Sequence, residues 1–242
     1  MSVLREAAST LRPPAGDRHG PLAPILVALT FVTGVVDAVS YLKLGHVFVA
    51  NMTGNVVFIG FALAGARGLS ASASLAALGS FLLGALVGGR LGALSPRHRG
   101  RMLRAAAAGQ SALFALALIV AVAASEPLTS GARYALLVPL GAGMGIQNAA
   151  AQRLAVPELT TTVLTRTLTG LASEGGLAGG PGANAGRRVV AVAAMLLGAV
   201  AGALLTLNVS VTAAVAAAAA IVLSITLVVH ALSSSEAAWT RA

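Results

Sequence analysis

The run LAPILVALTFVTGVVDAVSYL, Leu22 to Leu42, holds one formal charge, Asp37, and matches the roughly 20 residues that a helix needs to cross a hydrocarbon core. Lipid offers no partners to backbone N–H and C=O groups, so a crossing segment without strand alternation pairs them internally as an α-helix. Five further runs of this kind follow at Ser70–Gly89, Met102–Ala124, Tyr134–Gln152, Val189–Leu207 and Val211–Leu232. The whole chain of 242 residues is 57% apolar and 10% charged. Soluble domains carry about 25% charge, so this composition cannot cover a globular surface in water. An all-α integral membrane protein is expected, with a single membrane domain at 22–232. It lies between a disordered cytoplasmic tail at 1–21 and a second cytoplasmic tail at 233–242. The first tail lacks an apolar stretch of signal-peptide length, and the first span is expected to be retained.

Two segments are ambiguous: Val47–Ala66, which opens on Asn51-Met52-Thr53-Gly54-Asn55, and Leu159–Ala172, which carries six threonines and Arg166. Loop charge bears on whether they cross. With six crossings and a cytoplasmic N-terminus, thirteen basic residues fall inside, among them Arg97, Arg99, Arg101, Arg104 and Arg241. Only Lys43, Arg67 and Arg133 fall outside. If both segments cross, the split drops to eight against seven. The positive-inside rule therefore favours six spans, both termini cytoplasmic, and two segments that enter and leave on one side. The alternative is seven spans, with Val47–Ala66 crossing and the N-terminus outside.

The halves also resemble each other. Phe81-Leu82-Leu83-Gly84-Ala85-Leu86-Val87-Gly88 matches Met195-Leu196-Leu197-Gly198-Ala199-Val200-Ala201-Gly202 at an offset of 114. Gly34-Val35-Val36-Asp37-Ala38 matches Gly145-Ile146-Gln147-Asn148-Ala149 at an offset of 111, and the Asn51 cluster matches Thr160-Thr161-Thr162. Three spans per repeat, 22–124 and 134–232, force the second copy upside down. Two inverted three-span repeats, each with a re-entrant or broken helical segment, form the plan of many secondary transporters.

The words Gly34 to Leu42 and Gly45-His46-Val47-Phe48-Val49-Ala50-Asn51-Met52-Thr53-Gly54-Asn55 resemble the signature of the YoaK-like family of bacterial membrane proteins, a domain of unknown function. Gly143 to Ala149 and Thr160 to Thr165 are similar to its second signature. The resemblance runs from about Pro24 to Leu232. It implies a multi-pass protein of the bacterial plasma (inner) membrane and supplies no catalytic residue.

Several residue types are candidates for function. An ionised carboxylate at depth costs about 2.5–3.5 kcal/mol, so Asp37 is expected to be paired, protonated or wet. It reads either as a proton-relay or cation-coordinating group or as a structural hydrogen-bonder. Asn51, Thr53 and Asn55, with Gln147, Asn148, Thr160, Thr161, Thr162 and Thr165, supply donors and acceptors for a polar solute. The same side chains can instead cap the broken helices. Gly84, Gly88 and Gly92 recur every fourth residue, which permits close helix packing within the chain or a homodimer seam. Arg166 reads as an interfacial cation or as an attractor of an anionic substrate.

With zero cysteines, and with His19, His46, His98 and His230 lacking ligand spacing, no metal site and no cofactor are expected. The net charge of +9 lies in loops beside apolar runs, which signals topology rather than nucleic-acid binding. No nucleophile–base pair is visible, so an enzyme is not expected. The leading expectation is a small secondary transporter or permease for a small polar solute, with proton coupling through Asp37 as one form of it. The alternative is a non-transporting membrane scaffold or accessory subunit. The expected partners are the lipid bilayer and that solute.

Overall fold

A computed structural model of the chain describes residues 3–14, 16–95, 98–175, 178–180, 182, 184–233 and 238–240. Arg97 and Arg241, both assigned to the inner side, lie outside the described residues, as does most of the C-terminal tail. Among the described residues the chain forms helices α1 (Val3–Leu11), α2 (Leu22–Lys43), α3 (Met52–Leu63), α4 (Ala71–Leu94), α5 (Arg99–Ala123), α6 (Ser130–Leu154), α7 (Leu164–Ser173), α8 (Ala185–Asn208) and α9 (Val211–Leu232). A 3-10 turn follows at Ala238–Thr240, and no strand is present among these residues.

Six of these helices contain 22 to 25 residues, or about 33–38 Å at 1.5 Å per residue, enough to cross the membrane. Five are apolar enough to do so by composition alone. The sixth, α6, is diluted by Gln147, Asn148 and Gln152; it packs between α4 and α5 with Leu136, Leu140, Met144 and Gln147 buried, Asn148 half-buried and Gln152 exposed near its end. By contrast α3 and α7 have 12 and 10 residues, about 15–18 Å. Each is half a span. Phe58 of α3 packs back beside Tyr41 near the end of α2, so α3 returns toward the side from which residues 44–51 entered. The seven-span alternative calls for a full-length helix over Val47–Ala66; α3 has 12 residues and folds back beside α2.

Contacts at the helix ends fix their directions. At one end of the bundle Arg99, opening α5, donates to the carbonyl of Leu154, closing α6, and lies against His19 just before α2. Trp239 is buried there against Gly20. Burial, then the charge of Arg99, hold the His19 imidazole below its ordinary value. At the other end Thr212, opening α9, donates to the carbonyl of Ala121 near the close of α5 (2.9 Å), and Ser72 of α4 meets Tyr134 of α6 (3.0 Å). The long helices alternate in direction, so α2 and its repeat equivalent α6 run oppositely. The repeats are inverted.

The two halves are interlocked: α2 packs along α8 and α6 packs along α4, each the first helix of one repeat against the third element of the other. Glycine makes this possible. A Cβ on Gly34 would overlap the Met195 carbonyl, and one on Gly145 would overlap the carbonyl of Phe81, the repeat equivalent of Met195. Likewise Gly84 sits on Ala142 and Gly198 on Phe31. Close backbone approach of this kind maximises packing where lipid supplies no hydrophobic drive. The glycines offered for a homodimer seam make such contacts within the chain: Gly84 and Gly88 lie against α6, and Gly92 against the side chain of Arg153.

The N-terminal tail departs from expected disorder. Helix α1 rests on the start of α8, where the Gly186 N–H donates to the Glu6 carboxylate at 3.0 Å and Thr10 is buried. An amphipathic surface with a docking glycine is enough to order nine residues.

Gly34→Val and Gly145→Val are each expected to cost more than about 2 kcal/mol by forcing two backbones apart. Gly60→Val and Gly89→Val, where a Cβ meets nothing within 4 Å, should be tolerated. Thermal unfolding of the four purified variants checks this, and tolerance at either Gly34 or Gly145 would contradict the interlocked packing.

Candidate functional site

Residues 44–51 are non-helical backbone inside a membrane domain, where such backbone persists only if protein or a wet cavity satisfies it. Asp37 does much of that work. One carboxylate oxygen accepts the N–H groups of Val49 and Ala50, both at 2.9 Å, and the other accepts the side-chain amide nitrogen of Asn51. Asn55, fully buried, closes the next link: its Oδ1 accepts the Phe48 N–H at 2.9 Å and its Nδ2 donates to the Phe48 carbonyl at 2.6 Å. Phe48 stacks between Tyr41 and Phe58, with ring centroids 5.3 and 5.7 Å away, and His46 meets Tyr41 edge-on. The first half-helix is thus held by a carboxylate, an amide and an aromatic stack.

The second repeat builds the same entry with other chemistry. Asn148 occupies the place of Asp37, and Thr162 donates to its Oδ1 at 3.1 Å. The residues that open α3 and α7 share one backbone conformation, φ −92°, ψ 76° at Asn51 and φ −92°, ψ 77° at Val163. Neither half-helix has a side-chain cap, whereas Ser70, His98, Thr129 and Ser210 cap α4, α5, α6 and α9. The capping expected of Asn51 and the threonines is therefore absent at these two starts, because Asn51 and Thr162 turn to α2 and α6 instead. At these starts the Gly54 N–H donates to the Asn51 carbonyl (3.1 Å) and the Leu164 N–H to the Thr162 carbonyl (3.2 Å), and the other first-turn N–H groups have no intrahelical acceptor.

In place of aromatic rings, α7 is fastened by Arg188. This buried guanidinium at the start of α8 bonds Glu158 at 2.9 Å and Glu174 at 2.6 Å, so it grips both ends of α7, and it lies against Gly170, where a Cβ would collide with it. The hydrogen bond from Arg188 holds the Glu158 carboxyl below its ordinary value. This triad was missed in the sequence, although two acids flanking α7 in a chain with only seven were a signal.

Between the two half-helix starts lies a cavity of about 310 Å³. Asn51 and Thr53 line it from the α3 side, and Asn148, Thr162 and Thr165 from the α7 side. Phe81 and Met195, equivalent positions of the two repeats, complete it, which puts it at the pseudo-two-fold junction. None of its lining residues is charged. The remaining candidates stand elsewhere. Asp37 is behind Asn51, and Asn55 braces Phe48. Gln147 links Gln110 of α5 (2.7 Å) to Thr33 of α2 (3.1 Å). Thr160 and Thr161 lie in the connection to α7 and do not line the cavity; Thr161 is buried at φ 65°. Arg166, exposed, lines a neighbouring cavity of about 470 Å³ with Glu158, Glu174 and Arg188.

Asn55→Leu strips Phe48 of both backbone partners and should cost about 2–4 kcal/mol, seen as a lowered unfolding temperature. Because its folded value is depressed, Glu158 contributes its full stability above the ordinary value of 4.5 and loses it as pH falls through the folded value. Wild type should therefore lose more unfolding temperature on acidification below pH 4.5 than Glu158→Gln does.

Residues 25–228 match the family model described as "Protein of unknown function (DUF1275)". The chain is 35% identical over 152 residues to UPF0700 transmembrane protein YoaK of Bacillus subtilis (strain 168), covering 61% of this chain and 64% of that relative's length, a little under two thirds. No solved structure matches. The extent of the family match, over nearly the whole interlocked bundle, places this chain in the DUF1275 family of YoaK-like membrane proteins.

Proposed function

We propose that this multi-pass protein is a permease for a small polar solute, with the cavity between α3 and α7 as its binding site. The observation that carries the reading is that cavity: an uncharged, hydrogen-bonding space at the junction of inverted repeats, flanked by the uncapped starts of two half-length helices. Transporters of inverted-repeat design bind substrate where discontinuous helices meet near the midplane. A bilayer protein that only braced a partner has no need of polar groups held open around an internal space.

The two ends of the route differ. Toward one side the stack of Tyr41, Phe48 and Phe58 covers α3. Toward the other, the second cavity shares Val163 and Thr165 with the first, so the path continues past α7 and its Arg188 clasp. The reading involves no bond-making step, and hence no enzyme activity. Asp37, saturated by three donors and set behind Asn51, fits a fixed anchor better than a proton relay. That same saturation is what a scaffold would show, and it keeps the accessory-subunit reading as the second one.

The orientation we infer places both termini and the arginine-rich start of α5 in the cytoplasm of a bacterial cell, following the positive-inside rule. In this cysteine-free chain, Ser95→Cys should resist an impermeant thiol reagent on intact cells, and Ser125→Cys should react with it. Labelling of Ser95→Cys reverses the orientation. For function, reconstituted protein should speed the flux of some small polar solutes over protein-free vesicles, and Thr53→Leu with Thr165→Leu should abolish the increment. Flux equal to empty vesicles across a broad metabolite set would favour the scaffold.

A further inference from the structure

Resting on the permease reading, we infer that Asp37 is a positioning residue that sets the hydrogen-bond polarity of the central cavity. The solute is accordingly a neutral molecule that both donates and accepts, of the class of small amides and polyols.

A carboxylate only accepts hydrogen bonds. With Val49 and Ala50 on one oxygen of Asp37, the other oxygen faces the Asn51 amide and must receive its nitrogen. That amide cannot turn over. Asn51 lines the cavity, and its Oδ1 is the polar side-chain atom it has left to offer there. Across the cavity no carboxylate fixes the pairing: Thr162 donates to Oδ1 of Asn148, which turns the Asn148 Nδ2 to the solute, and a hydroxyl partner leaves that amide able to adapt. The repeats therefore present an acceptor on one side and a donor on the other. The difference arises from one position, aspartate in the first copy and asparagine in the second.

The rest of the lining agrees. The hydroxyls of Thr53 and Thr165 donate or accept, and no lining side chain carries a charge to balance an ion. A bare anion would meet the fixed carbonyl oxygen of Asn51, and a bare cation the amide of Asn148. A solute with a donor at one end and an acceptor at the other satisfies both.

Asp37→Asn isolates the claim. Its Oδ1 can keep the two backbone N–H groups, while Nδ2 replaces the oxygen that faces Asn51. The Asn51 amide must then turn, and the cavity shows a donor where it showed an acceptor, with size and fold kept. The test measures thermal unfolding of purified wild type, Asp37→Asn and Asn51→Leu with acetamide, glycerol or sodium nitrate, together with flux of the same probes into vesicles holding each protein. Acetamide or glycerol should raise the wild-type unfolding temperature by about 3 °C at tenfold excess over its dissociation constant, and nitrate should not. Asn51→Leu should lose that shift, a result that does not depend on whether Asp37→Asn folds. Asp37→Asn should reverse the preference toward nitrate. Stabilisation without flux would uphold the cavity's polarity and remove the permease reading. Flux selective for nitrate in wild type would do the opposite. Stabilisation of wild type by nitrate above the neutral probes, or by none of the three, overturns the inference.

Discussion

A backbone N–H or C=O that leaves a helix inside the membrane must find a protein partner, and that requirement governs the middle of this structure. Residues 44–51 leave regular structure between α2 and α3 and would be untenable against lipid. Asp37 and Asn55 supply partners to Phe48, Val49 and Ala50 from side chains, doing locally what a helix does for itself. Once those groups are satisfied, the chain can break at Asn51, a half-helix can start at membrane depth, and a cavity can open at its end.

Around that break the bundle is a nearly symmetric frame with asymmetric fastenings. The frame is set by close backbone contact, in which α2 and α8 meet as α6 and α4 do, through glycines at equivalent positions. The fastenings are apolar and aromatic on α3 but ionic on α7, where Arg188 joins Glu158 and Glu174. Arg188 and Glu158 are largely buried, but the Glu174 carboxylate is half exposed, so salt can screen that arm of the clasp. The half-helix closed by charge is therefore the one that ionic conditions can loosen, and it borders the second cavity.

Much of this frame was legible in the sequence because it follows from length and pattern. Long apolar runs report spans directly, and the repeat was visible because Gly34, Gly84, Gly145 and Gly198 sit where only hydrogen fits between helices. The polar words around Asn51 and Thr162 marked the cavity, but the roles within them were not separable by type. Asn51 looks like a cap and serves as a partner to Asp37. Asn55 looks like a ligand group and binds backbone. Gln147 lies on the same helix as Asn148 yet points toward Gln110 and Thr33. Such assignments depend on side-chain direction, which one-residue steps on a helix change by about 100°. The Arg188 clasp was hidden for another reason: its partners are 30 and 14 residues away, across connections with no periodicity.

The central claim is that the starts of α3 and α7 face one another across a shared cavity. Since the chain has no cysteine, Thr53→Cys and Thr165→Cys can be combined and treated in native membranes with a short bifunctional thiol reagent. Protease cleavage between α5 and α6 then reports whether the two halves remain covalently joined. Joined halves in the double variant, and separated halves in each single variant, are the predicted result. Separated halves in a double variant whose cysteines each react with a monofunctional reagent would show that the two half-helices do not meet.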